Sequence, residues 1–168
     1  MQRRSWLKLG FGAAALLALA GGGLALLKPG WADGRMTPAA RSVFHAVARA
    51  VLDGSLPADA AQRSAALESH LERLDETLAG FPAATHHELS QLLMLLASPP
   101  GRVALAGLHT DWPDASVEQL QHALQGMRTS NIALRQQAYH ALRDLTNAAY
   151  YAAPQIWALT GYPGPRDI

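Results

Sequence analysis

Seven histidines and thirteen carboxylates are the side chains best placed to do chemistry in this sequence, because it contains no cysteine. Thiolate zinc sites, iron–sulfur clusters, covalently attached haem and disulfides are excluded with it. Glu118 and His122 lie four residues apart, as do His140 and Asp144. On a helix either pair could give two metal ligands or an acid–base couple. A di-iron bundle needs Glu-x-x-His on two of its helices, and that motif occurs nowhere in the chain. His86 and His87 are adjacent, so on a helix they project about 100° apart, poorly placed to grip one ion, and near a helix start they are expected in solvent. His45, beside Phe44, could ligate a non-covalent haem, or could simply be satisfied by its neighbours in the core or at the surface. Ser64, Ser69 and Ser90 have no elbow motif around them. The sequence therefore offers no catalytic constellation, no metal set and no cofactor site of its own.

What it does offer is an address. Arg3-Arg4-Ser5-Trp6-Leu7-Lys8 precedes an apolar stretch from Leu9 to Leu27 and a basic exit at Lys28. A basic head, an apolar middle and a more polar exit make an export signal, and the paired arginines resemble the twin-arginine pattern of Ser or Thr, two arginines, any residue, Phe, Leu, Lys. Gln2 keeps a polar residue before the pair, and Trp6 an aromatic where Phe is common. The apolar run has the length of a membrane span, about 20 residues, but Gly10, Gly12 and Gly21-Gly22-Gly23 make it a weak helix. Gly10-Phe11-Gly12 with Ala15 imitates a dinucleotide fingerprint, but that motif needs a preceding strand and the residues before it here are signal-like. Gly30-Trp31-Ala32 permits a cut after Ala32; retention as an uncleaved inner-membrane anchor is the other reading. Residues 1–32 are thus read as a signal or anchor and 33–168 as a single domain.

Arg3, Arg4, Lys8 and Lys28 hold four of the fourteen positive charges and sit among no acids, so residues 33–168 keep ten arginines against thirteen acids. No basic footprint for nucleic acid survives in that balance. Lysine is absent from the same region, which reads as compositional bias.

The elements that must position any site are helical throughout. After a short exposed arm, Thr37-Pro38 starts a helix whose Phe44, Val47, Ala48, Val51 and Leu52 share a face, with Gly54 to end it. A second, over roughly 58–79, spaces Leu67, Leu71, Leu74 and Leu78 for burial and sets Glu68, Glu72 and Glu76 in a solvated stripe. Phe81-Pro82 opens a third, apolar nearly all round from Leu89 to Leu96, predicted to lie mid-bundle or against a partner and to stop at Ser98-Pro99-Pro100-Gly101. A short helix through Leu108 and a Trp112-Pro113-Asp114 loop follow. Ser116 and Gln119 then form a capping box for a helix ending near Gly126. The longest helix is predicted over 131–152. The fold class is all-α, a compact bundle of five or six helices after the export signal, with an irregular aromatic tail.

That tail, Trp157-Ala158-Leu159-Thr160-Gly161-Tyr162-Pro163-Gly164, resembles the ending of the small third subunit of gluconate 2-dehydrogenase and its relatives, an aromatic followed by Gly-Tyr-Pro-Gly or Gly-Phe-Pro-Gly. Members are helical, of similar size and twin-arginine exported; before the tail they commonly carry a glycine-rich segment where this chain has Tyr151-Ala152-Ala153-Pro154. The resemblance implies a non-catalytic subunit of a periplasmic, membrane-associated oxidoreductase complex. Its partners would be the twin-arginine translocase, a flavin-dependent large subunit of the glucose–methanol–choline type carrying FAD, and a cytochrome c subunit. Trp157, Gly161, Tyr162, Pro163 and Gly164 would be the docking residues, and the leucines of the third helix would add interface. The residues themselves leave open a tail that covers the bundle's own end. They also leave open a free-standing exported binding protein.

Overall fold

The computed structural model describes residues 29–157 and 161–163. The export residues Arg3, Arg4, Trp6, Leu7 and Lys8, and the tail residue Gly164, lie outside the described residues.

Five helices form an all-α bundle: α1 (Pro38–Val51), α2 (Ala60–Ala79), α3 (Ala83–Ala97), α4 (Val117–Arg128) and α5 (Ala133–Tyr151). A single turn, α6 (Pro154–Trp157), follows. Three of the five starts carry a side-chain cap. Thr37 caps α1 by accepting from the Ala40 amide, with Pro38 in the first turn. Asp59 caps α2 through the Gln62 amide. Ser116 and Gln119 form the capping box of α4 that their spacing predicts. At 20 residues α2 is one longer than α5, so the longest helix is not the one predicted.

The centre of the bundle is α1, which packs on α2, α3, α4 and α5. Its small residues Ala40, Ala46, Ala48 and Ala50 allow that close approach, while Val43, Phe44 and Val47 fill the gaps. On α3, Leu89, Leu92, Leu93, Leu95 and Leu96 are all buried within the domain, leaving no leucine face for a partner. That expectation is corrected by the hairpin and the segment after α3, which cover the sides α1 leaves open.

Three other expectations change. The chain before α1 is a hairpin, not a free arm: β1 (Trp31–Ala32) pairs antiparallel with β2 (Arg35–Met36). Asp33 and Gly34, at φ 51° and 77°, make the two-residue turn whose positive φ values match the twist of paired strands. Ser98-Pro99-Pro100-Gly101 turns the chain without stopping it. Ser98 accepts from the Gly101 amide, and a π-helical turn at Arg102–Ala106 continues to Gly107. Finally, α4 passes through Gly126 to Arg128.

Arginine does a job here that composition hides. Arg63 donates to the Pro57 and Ala58 carbonyls, Arg49 to Pro113 and Ala115, Arg102 to Leu108 and His109, Arg73 to Ala149 and Arg135 to Leu105. These carbonyls lie in loops or at or beside element ends, where helix partners run out. A planar guanidinium can satisfy two at once, which the single point of a lysine ammonium does poorly. Trp112 acts similarly, buried with its indole N–H on the Leu96 carbonyl at 2.7 Å.

Candidate functional site

The C-terminal end of α5 carries the aromatic group. Its buried face runs Ala138, Leu142, Thr146, Ala149 and Tyr150. Tyr150 is sealed in, its hydroxyl donating to the Ser55 carbonyl at 2.8 Å, and burial together with the neighbouring Tyr151 holds its phenol above the usual range. Tyr151, one residue on, is exposed, its ring meeting that of Tyr150 edge to face with centroids 5.3 Å apart. Ala153 is buried, Pro154 opens α6, and Ile156 packs on the small cluster of Ala48, Leu52, Leu67 and Tyr150. The indole of Trp157 then donates back to the Tyr151 carbonyl at 3.0 Å.

The Tyr162 amide donates to the Trp157 carbonyl at 3.0 Å, and Gly161 sits at φ 70°. The rings of Trp157 and Tyr162 meet edge to face, centroids 5.4 Å apart. Tyr162 keeps half of its surface exposed, and Gly161 and Pro163 are exposed beside it. Ile156 packs on the bundle, Trp157 is half-buried, and Tyr151 and Tyr162 are exposed.

The sequence-level acid–base pairs are solvated. Glu118 bonds the Ser116 hydroxyl at 2.7 Å, which holds its carboxyl below the usual range, while its helical neighbour His122 is exposed. Asp144 pairs with Arg143 and His140 is exposed. Glu68, Glu72 and Glu76 form the expected outward stripe, Glu68 reaching Arg41 at 3.4 Å. His45 is half-buried; partial burial, then the Arg49 charge, lowers its pKa against the opposing pull of Glu68. Among the described residues no three His, Asp or Glu side chains gather closely enough to hold a metal ion.

Of the adjacent histidines only His87 is solvated as expected, reaching Gln91. His86 stacks on Trp31 with centroids 4.9 Å apart and its Nε2 meets the Leu78 carbonyl.

The histidine that sequence reasoning passed over is His70. It is wholly buried, and among the described residues neither ring nitrogen has a hydrogen-bond partner; the same holds for the Thr146 hydroxyl. Burial, then the Arg73 charge, lowers its pKa from 6.5 to about 4. The signal was available: 67, 70, 71, 74 and 78 are one helical stripe, so His70 shares the face of four leucines. Thr146 is likewise one turn from Leu142 and one from Tyr150. The arrangement keeps a neutral imidazole edge-on to Tyr150, 6.2 Å between centroids, inside the end of the bundle that bears the tail.

Among the described residues, no helix is long and apolar enough to cross a membrane. Compared with family models, with curated proteins and with solved structures, the chain matches none.

Proposed function

We propose that this chain is the non-catalytic small subunit of a periplasmic flavin-dependent dehydrogenase of the glucose–methanol–choline type, and that its twin-arginine signal exports the partner with it. The observation that carries the reading is the tail: Tyr151, Trp157 and Tyr162 present two exposed rings and one half-buried ring on a hydrogen-bonded turn, in a sequence that resembles the ending of gluconate 2-dehydrogenase small subunits. Rigid aromatic side chains with a polar tip are the usual anchors of protein interfaces. The arginine pair adds a second support. The twin-arginine route carries folded proteins, often with cofactors already inserted, and a folded flavin subunit lacking a signal is a natural cargo. FAD belongs to that partner, and a cytochrome c subunit would accept its electrons at the inner membrane.

Replacing Arg3 and Arg4 together with Lys tests this. Receptor reading depends on the guanidinium pair and not merely on charge. The double variant is expected to remain in the cytoplasm with the flavin partner stranded beside it, read by fractionation and by mass spectrometry of what co-purifies with a tagged chain. Normal periplasmic accumulation of the variant overturns the export reading. A partner that reaches the periplasm in the absence of this chain overturns the escort role. A free-standing exported binding protein is the second reading, favoured by the unpartnered polar atoms of His70 and Thr146 inside the bundle; it predicts that the tagged chain purifies alone.

A further inference from the structure

The sequence permits a processing cut between Ala32 and Asp33, with Gly30, Trp31 and Ala32 as the three residues before the bond. Those residues are built into the fold. Gly30 is buried; its amide donates to the Ser90 carbonyl at 3.3 Å, and its carbonyl accepts from the Thr37 amide at 3.0 Å. A Cβ at this position would stand 2.5 Å from Leu93 Cβ and 2.8 Å from the Ser90 oxygen, so only glycine can lie this close to α3. Trp31 donates its amide to the Ser90 hydroxyl at 3.1 Å and stacks its ring on His86. Ala32 pairs with Arg35 across the turn. At the far end of the hairpin Met36 is buried, its amide on Asp75, which also holds Arg41 of α1.

A peptidase must take the residues before its scissile bond as an extended strand, using their backbone groups and inserting their small side chains. Here those groups are occupied and the Gly30 face is against Leu93. We propose that the Ala32–Asp33 bond is closed to processing in the folded protein, and that residues 30–36 form a strap that stays with the domain and fastens the exit of the apolar segment to α3. The proposal draws its order of events from the export reading above, since a twin-arginine substrate folds before it meets a periplasmic peptidase. Only Lys28 and Pro29 separate Leu27 from the strap, which puts Gly30 within roughly 11 Å of Leu27 even when extended. The domain therefore hangs close beneath whatever holds the apolar segment.

The full chain, tagged at its C-terminus and expressed with the twin-arginine pathway intact, gives the first measurement. Intact mass of the exported protein is expected to place its first residue at or before Pro29. A mature chain beginning at Asp33 overturns the proposal. The second measurement needs no export, so a failure of the export reading leaves it intact. Trypsin is applied to the folded full chain in mild detergent, and cleavage after Arg35, an exposed residue followed by the tethered Met36, is timed. Wild type is expected to be cut at least about tenfold more slowly than Gly30→Val, which cannot seat against Leu93, in keeping with cleavage through a locally opened state. Trp31→Ala, which removes the His86 stack without entering the core, should fall between. Equal rates in wild type and both variants overturn the strap.

Discussion

At the N-terminal end of the domain Gly30 and Trp31 give their amides to Ser90, and a glycine fits where no other residue can. At the C-terminal end the Trp157 indole donates to the Tyr151 carbonyl and its ring meets that of Tyr162, half of which is in solvent. The smaller residues make the tighter joint. Aromatic content marks the tail as the notable end of the sequence, yet integration into a fold is decided by satisfied backbone groups and close approach, and by that measure the strap belongs to the bundle more fully than the tail does.

The largest effect expected from this contrast is at Gly30. Gly30→Val forces a branched side chain into a gap where even Cβ does not fit, so either the strap leaves α3 or the helix shifts. Overpacking of this kind costs on the order of 1–3 kcal/mol, and losing the Ser90 and Thr37 bonds adds to it. A fall in Tm of about 10 °C is expected by calorimetry. A loss under about 2 °C would mean the strap rests on the bundle without being part of it.

Acid should separate the two ends. Above pH 6.5 His70 is neutral both folded and unfolded, and its titration leaves stability unchanged with pH. Its folded pKa is lowered to about 4, so as pH falls from 6.5 towards 4 the unfolded chain takes up a proton that the folded chain refuses, and stability is lost through that window. The shift corresponds to at most about 3 kcal/mol. His70 touches Tyr150 and lies near Arg73, so the loosening should begin beneath the tail and leave the strap intact. Hydrogen exchange at pH 4.5 against pH 7 is expected to rise at the Tyr150 end before the Gly30 end. His70→Leu, which also removes two unpartnered nitrogens, should flatten that part of the pH dependence. Equal acid sensitivity in the variant and wild type would assign the effect to other groups.

Most of the fold was legible because helix signals are local. Thr37-Pro38, the Ser116–Gln119 box and the leucine spacing of α2 each act within a turn or two of themselves. What escaped depends on distant partners. Ala32-Asp33-Gly34-Arg35 carries a hairpin turn signal, but strands two residues long show no alternation, and they exist because Ser90 and Asp75 receive them. The leucines of α3 reveal burial and not what buries them. Proline after Ser98 reads as a stop because it cannot continue α3, although the same residue suits the first turn of the next element. The arginines looked like bias because half of their carbonyl partners are far away in sequence, 76 residues for Arg73 and 30 for Arg135. At the tail, the residue types point to an interface while the division between Ile156 as cover and Tyr162 as outward ring needs coordinates.

The smallest effect on stability, and the most telling for function, is expected at Tyr162. It is half exposed and its contact is with Trp157 beyond the last turn of α6, so Tyr162→Ala should lower Tm by no more than a few degrees, about 1 kcal/mol or less. Trp157→Ala loses more, because the indole also bonds the Tyr151 carbonyl, yet it leaves Ile156 seated on Leu52, Leu67 and Tyr150. If the tail docks the flavin subunit, both variants should keep their helical circular dichroism while partner capture falls tenfold or more, the size expected when an interface anchor of about 2 kcal/mol is truncated. Ile156→Ala supplies the control, opening the buried cluster and lowering Tm with partner capture reduced only in proportion. Should Tyr162→Ala and Trp157→Ala bind the partner as wild type does, the outward rings have no docking role, and the strap would be left as the better-built end in function as well as in structure.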